Sequence, residues 1–232
     1  MNSLIIPIAA DHPRYGEEIP VAFTIGRSGR MQCIEAIMGL PLEQFDRICF
    51  VILAKHDRRY FLSERLEVQI RMLDLNAQIV VLDSPTASEP ETIYRTILQE
   101  HLSGSIFIKD SDSSFCCECS GKNEVAVFPL ENLSWVNPQD KSYVAADDSG
   151  FVTNIIEKRI IGHLFSAGGY GFESAETFCQ TFESIAIEDK LYLSHIIYYM
   201  LLHGEVFRPL AVSEYVDMNS ETRNFGNSEL RK

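Results

Sequence analysis

Positive charge is what this sequence has least of. Lys and Arg number 20 against 33 Asp and Glu, a net charge of −13 over 232 residues. Such a surface excludes nonspecific binding to nucleic acid or to an anionic membrane, since both need a cationic face. It does not exclude a nucleotide, because a local pocket or a metal ion can hold phosphates on an acidic protein. Nowhere does the chain approach the ~20 consecutive apolar residues of a membrane span. Its start, Met1-Asn-Ser-Leu-Ile-Ile-Pro-Ile8, lacks the basic region and long apolar run of a signal peptide. The expectation is a soluble, cytoplasmic protein. Six cysteines (Cys33, Cys49, Cys116, Cys117, Cys119 and Cys179) then read as reduced thiols. Cys116-Cys117-x-Cys119 has the wrong spacing for zinc, since adjacent cysteines rarely reach one tetrahedral ion and no Cys-x-x-Cys or histidine pair completes a site. No Ser-His-Asp or Cys-His arrangement occurs at local spacing.

What is present is an alternation of apolar runs and helical periods. Residues 4–9 and 48–54 are short apolar runs, the pattern of strands buried on both faces, and 77–82 and 105–109 read as a third and a fourth strand. Between them, residues 30–40, 60–75 and 89–102 carry apolar side chains at helical spacing, the last opening on a capping box of Ser88 and Glu91. This rhythm predicts parallel βαβ units. After Asp110 it changes to short strand-like segments at 124–129, 142–146, 151–157 and 165–172, with Asp147-Asp-Ser-Gly150 as a hairpin turn. Helices near 175–183 and 191–202 and a late strand at 205–212 follow, then a polar tail. The reading is a mixed α/β chain with a nucleotide-binding half followed by an acceptor-binding half. In such sheets ligands sit outside the carboxyl ends of the parallel strands. The loops after Ala9, Ala54, Leu82 and Lys109 are therefore the candidate site.

Asp110-Ser-Asp112 closes the fourth strand, where two carboxylates one residue apart can hold a hard divalent cation and, through it, phosphate oxygens. The same tripeptide also occurs as an ordinary solvated turn. The loop Ala9-Ala10-Asp11-His12-Pro13-Arg14 follows the first strand. It lacks the run of backbone N–H groups that a Gly-rich loop offers, although Arg14 can pair with a phosphate. Glu157 beside Lys158 reads equally as a strand-end ion pair. Tyr192, Tyr198, Tyr199 and Met200 read as core and interface, the latter compatible with a homo-oligomer. Trp135 reads as packing in preference to covering a sugar face.

The segment from Leu4 to Phe23 resembles the opening of the sugar-phosphate nucleotidyltransferases, which begin with a strand, an Ala-Gly-x-Gly-[ST]-Arg-Phe loop and a Pro-Lys pair. Gly26-Arg-Ser-Gly-Arg-Met-Gln-Cys-Ile34 stands where that family has Gly-[KR]-Pro-Met-Ile. Phe107-Ile-Lys-Asp-Ser-Asp112 is similar to its metal-binding Asp after a central strand. The stretch from Ser142 to Lys158 resembles its hairpin and Glu-Lys motif, and Ala167-Gly-Gly-Tyr-Gly-Phe172 its Gly-x-Tyr-x-Phe strand. Tyr215-Val-Asp217 to Thr222 stands in the place of Asp-x-Gly-Thr. The motifs span nearly the whole chain in order.

The resemblance implies a GT-A-like, Rossmann-like three-layer α/β domain over 1–232, with a mixed, mostly parallel central sheet and helices on both faces. Its nucleotide half would be 1–112 and its acceptor half 113–232. It is closest to the short forms encoded with capsule or surface-polysaccharide genes. The implied activity is nucleotidyl transfer from a nucleoside triphosphate to a sugar or alditol phosphate. By resemblance, Ala9, Ala10, Asp11 and Arg14 would bind the nucleotide, and Asp110, Asp112 and Asp217 would hold Mg²⁺ or Mn²⁺. Glu157, Lys158, Gly168 and Gly169 would bind the acceptor, with Arg14, Lys158 and Asp110 as the catalytic set. The chain departs from the pattern at Ala10, His12 and Pro13 in the loop, at Val21 for lysine and at Asn219 for glycine. The rival readings are a GT-A glycosyltransferase using a nucleotide sugar through Asp110-x-Asp112, and a non-catalytic nucleotide-binding relative.

Overall fold

The computed structural model describes residues 1–9, 20–26, 28–133, 141–185 and 191–218. Among the described residues eleven strands form in chain order: β1 (Asn2–Pro7), β2 (Arg47–Leu53), β3 (Ala77–Leu82), β4 (Ser105–Lys109), β5 (Ser113–Cys116), β6 (Glu124–Pro129), β7 (Ser142–Ala146), β8 (Val152–Glu157), β9 (Leu164–Phe172), β10 (Arg208–Ala211) and β11 (Ser213–Asp217). The helices are α1 (Gln32–Glu35), α2 (Ala54–Tyr60), α3 (Leu62–Met72), α4 (Glu89–Glu100), α5 (Ala175–Ser184) and α6 (Leu193–Leu202).

Nine strands build the central sheet, in the order β10-β6-β9-β4-β1-β2-β3, with β7 paired to β8 and to one end of β9. The β4-β1-β2-β3 block is parallel. Strand β9 runs antiparallel to both β4 and β6. Alternation along the buried strands sends Ile5, Cys49, Val51 and Leu53 to one face, against Ile93, Phe178 and Ile196 of α4, α5 and α6. It sends Leu4, Ile6, Phe50 and Ile52 to the other, against Ile34 of α1 and Leu62, Leu66 and Ile70 of α3. Each of those fully buried aliphatic side chains is worth ~1.5–3 kcal/mol of transfer free energy. The architecture is the expected mixed, mostly parallel sheet with helices on both faces.

Two helices differ from the sequence reading. The single helix expected over 60–75 is interrupted at Phe61, whose φ of 53° is left-handed. The N–H of Phe61 closes α2 on the Asp57 carbonyl, and Asp57 Oδ1 accepts from the N–H of Ser63, so one aspartate ends α2 and starts α3. The helix expected over 30–40 is α-helical only through α1. The chain then tightens into i→i−3 bonds from Ile37, Met38 and Leu40. Gly39 lets this turn pack on β5, because a Cβ there would stand 2.2 Å from the Phe115 carbonyl oxygen.

The order of the sheet positions the site. Strand β1 lies between β2 and β4, so the connection order reverses beside it. In open α/β sheets ligands bind in the crevice at that reversal, outside the carboxyl ends of the strands. Ala9 and Asp110 stand at those two ends, since Ile5 of β1 is in register with Ile108 of β4.

Candidate functional site

A cavity of about 110 Å³ opens at the carboxyl end of β4. Glu89, Asp110 and Asp112 form one wall, and Lys141, Ser142, Glu157, Tyr192 and Ser194 the other. Ser166, Gly168 and Tyr170 of β9 form the floor.

The first wall is acidic, with Glu89 and Asp110 half-buried and Asp112 exposed. Asp110 follows β4 directly, and its N–H donates to the Gly168 carbonyl of β9 at 2.9 Å. Gly168 has a φ of +87°, and a Cβ there would stand 2.8 Å from Asp110 Oδ2, so only glycine leaves the carboxylate its place. Asp110 Oδ1 is buried and has no hydrogen-bond partner. Burial, and then the charge of Asp112, push the Asp110 pKa up to about 6, against the pull of Lys109. Glu89 opens α4, whose N-cap Ser88 Oγ accepts from the N–H of Glu91. Burial and the neighbouring Asp110 hold Glu89 well above the usual carboxylate range.

The second wall is satisfied. Glu157 Oε2 accepts from the hydroxyl of Ser142, and from Ser194 Oγ at 3.1 Å. Lys141 Nζ donates to the Tyr215 hydroxyl at 2.8 Å and pairs with Asp217 Oδ2 at 2.9 Å. Burial works against this ammonium, but Tyr215 and Asp217 outweigh it and hold the Lys141 pKa above its ordinary value. Lys158 has a left-handed φ of 60° and donates from Nζ to the Tyr192 hydroxyl at 2.8 Å. It thus stands on the cavity's rim, over a ring that lines it.

Several expected site residues fall elsewhere. Asp217 does not line the cavity, although β11 pairs with β5 and sets it opposite Ser113, and the N–H of Met218 donates to the Asp112 carbonyl. The three-carboxylate set of Asp110, Asp112 and Asp217 is not assembled: among the described residues no three His, Cys, Asp or Glu side chains converge as ligands. The physical reason is Lys141, which occupies the Asp217 carboxylate. Gly169 faces away from the cavity, since a Cβ there would meet the rings of Phe115 and Phe107 and Ala126 Cβ within 3.0 Å. It is a packing glycine, not an acceptor contact. Ala9 is fully buried in the core and does not line the cavity. Ala10, Asp11, His12, Pro13, Arg14, Arg27, Trp135 and Asn219 lie outside the described residues. Arg30 is ion-paired with Glu35. Sequence reasoning missed Glu89, Lys141 and the serines. For Glu89 the available signal was its place at the start of a helix that follows a parallel strand.

A divalent cation fits what remains of the acidic wall. An orphaned, buried carboxylate oxygen on Asp110, with a second carboxylate two residues on in the same cavity, is the donor set that Mg²⁺ takes when phosphates and water complete its shell.

Neither a family model nor a curated protein matches the chain by sequence. Solved structures do match it in three dimensions. The nucleoside-diphosphate-sugar pyrophosphorylase of Vibrio cholerae aligns with a TM-score of 0.74 at 16% identity, over 93% of this chain and 95% of that one. The inositol-1-phosphate CTP transferase of T. maritima aligns with 0.71 at 14% identity, over 93% and 86%. A putative glucose-1-phosphate thymidylyltransferase of Bacillus anthracis gives 0.67 at 14% identity, over 94% and 89%. No helix among the described residues is long and apolar enough to cross a membrane. Over 93–94% of its length, the chain has the fold of these sugar-phosphate nucleotidyltransferases.

Proposed function

We propose that this chain transfers a nucleotidyl group from a nucleoside triphosphate to a sugar or alditol phosphate. The observation that carries the reading is one cavity with two unlike walls. Asp110 and Asp112 stand on one side, at the carboxyl end of the central strand, and a hydrogen-bonded Glu157 stands on the other. A phosphate oxygen of the acceptor attacks the α-phosphorus, the bond from that phosphorus to the bridging oxygen breaks, and pyrophosphate leaves with the electron pair. Such a step needs positioning and charge neutralisation more than covalent help.

Asp110 and Asp112 are the residues that would hold Mg²⁺ or Mn²⁺, which when bound neutralises phosphate charge. Glu157, fixed by Ser142 and Ser194, accepts hydrogen bonds from acceptor hydroxyls. Lys158 reaches over Tyr192 to the acceptor phosphate. Gly168 leaves the floor open to it, and Arg14, by resemblance, meets the triphosphate. The halves 1–112 and 113–232 would then bind nucleotide and acceptor respectively. We assign the reaction to the cytoplasm, where nucleoside triphosphates are made, and its product to surface-polysaccharide synthesis.

The test is a screen of nucleoside triphosphates against sugar and alditol phosphates with Mg²⁺, read by pyrophosphate release. Pyrophosphate and a nucleotide sugar are expected. Release of a nucleoside diphosphate from a nucleotide sugar would instead establish a glycosyltransferase. Nucleotide binding with no turnover would establish a non-catalytic relative.

A further inference from the structure

The Asp110–Ser113 turn is tied from below by a lysine that does not itself line the cavity. Lys109 is the last residue of β4 and is completely buried. An ammonium has three protons to donate, and all three are used. Nζ donates to the Asp110 carbonyl at 2.7 Å, the Ser113 carbonyl at 2.9 Å and Ser113 Oγ at 3.0 Å. Every acceptor belongs to the turn that carries Asp110 and Asp112. The Phe115 ring closes the far side, 4.6 Å from the ammonium.

The tie extends to the cavity floor. Ser113 Oγ, accepting from Lys109, donates its own proton to the Ala167 carbonyl at 2.7 Å. The next residue is Gly168, whose carbonyl accepts from the Asp110 N–H and where a Cβ would collide with Asp110 Oδ2. Lys109, Ser113, Gly168 and Asp110 thus form one closed ring of contacts. Burying a charge is costly, and a well-packed apolar side chain would be cheaper at the same position. An apolar side chain here would leave two inward-pointing carbonyls without donors. What only the lysine supplies is a donor to each inward-facing group of the turn at once.

We propose that Lys109 is a positioning residue for the divalent cation: its ammonium, inside the 110–113 turn, sets the direction in which Asp110 and Asp112 present their carboxylates. It does so without contacting nucleotide or acceptor. The inference rests on the cation site of the function proposed above. Outer groups that orient a metal's ligands typically contribute ~10–100-fold in metal affinity.

The test is Mn²⁺ binding to the full chain, measured by titration calorimetry with and without nucleotide, for the parent, Lys109→Met and Ser113→Ala. Circular dichroism confirms that each variant is folded. Lys109→Met is expected to weaken Mn²⁺ at least tenfold and to raise the KM for the metal, with the KM for the acceptor unchanged. Should Lys109→Met not fold, Ser113→Ala decides: it removes one acceptor and the link to Ala167, and is expected to weaken Mn²⁺ about threefold or more. A folded variant that binds Mn²⁺ like the parent overturns the role of Lys109 and leaves the cation site standing. A parent that binds no Mn²⁺ in either condition overturns both.

Discussion

Asp110 and Glu157 face each other across one cavity and are held in opposite ways. Glu157 Oε2 accepts two serine hydroxyls, while Asp110 keeps a buried oxygen without any partner, next to two further carboxyls. A carboxylate that is already bonded is finished as structure and can only add a ligand's hydroxyl at its periphery. One left short of partners is unstable until something cationic arrives. In the proposed reaction the two walls separate recognition of the acceptor from neutralisation of phosphate charge, and both use a carboxylate.

The largest expected effect breaks this contrast on the reactive side. Asp110→Asn should lower turnover by about 10³-fold, the scale of removing a group that holds developing charge. Glu157→Gln should act mainly through acceptor binding, raising that KM about tenfold and leaving the nucleotide KM alone. Equal losses of kcat in both variants would erase the distinction.

Stability should run the other way. Asp110→Asn removes a carboxylate that burial disfavours and should raise stability at pH 7.5 by about 1–2 kcal/mol. Ser142→Ala and Ser194→Ala each strip a donor from Glu157 and should lower it by about 1 kcal/mol. Denaturant titration of the three variants checks the signs.

Acidity sharpens the contrast further. The folded pKa of Asp110, about 6, lies above the ordinary value, so the native state takes up this proton before the unfolded chain does. Its contribution to stability therefore grows as pH falls through about 6 and is complete only below the ordinary carboxylate range near ~4. Glu89 shifts in the same direction, and Asp112, Lys109, Lys141 and Glu157 are the charges that face the pair. A melting-temperature profile from pH 7.5 to 5 should rise for the parent and flatten in Asp110→Asn. The smallest effect is at the rim: Lys158→Ala should change stability by less than about 1 kcal/mol while raising the acceptor KM.

The strands that hold this site were legible because they are buried on both faces. Residues 48–54 read as a continuous apolar run and 105–109 as a strand, and β2 and β4 occupy those places. Asp110 followed from strand direction, since carboxyl ends of parallel strands are where ligands sit. Strands β5 and β11 were not anticipated, because Ser113–Cys116 and Ser213–Asp217 are short, largely polar and paired only with each other. The fate of Asp217 turned on Lys141, a contact that no local spacing encodes. Gly169 and Gly168 are chain neighbours that point to opposite faces, and only the register of β9 decides which of them meets the cavity. Lys109 read only as the last residue of the fourth strand. A lysine closing an apolar run gives no sign in sequence that three acceptors wait for it.

The pairing of β11 with β5 also has a consequence for the order in which the molecule comes together. Cys116 Sγ and Glu214 meet across 98 positions of chain, and the entropy of closing so long a loop must be spent before the contact gives anything back. During synthesis at about 5–20 residues per second, β11 leaves the ribosome after all the other strands. A nascent chain can therefore assemble the central sheet and hold Asp110 beside Gly168 while Lys141 still lacks Asp217 and Tyr215. In that interval the one cation lining the cavity among the described residues has neither of these partners. The arrival of the last strand pairs that charge with Asp217 and Tyr215 where it stands in the lining.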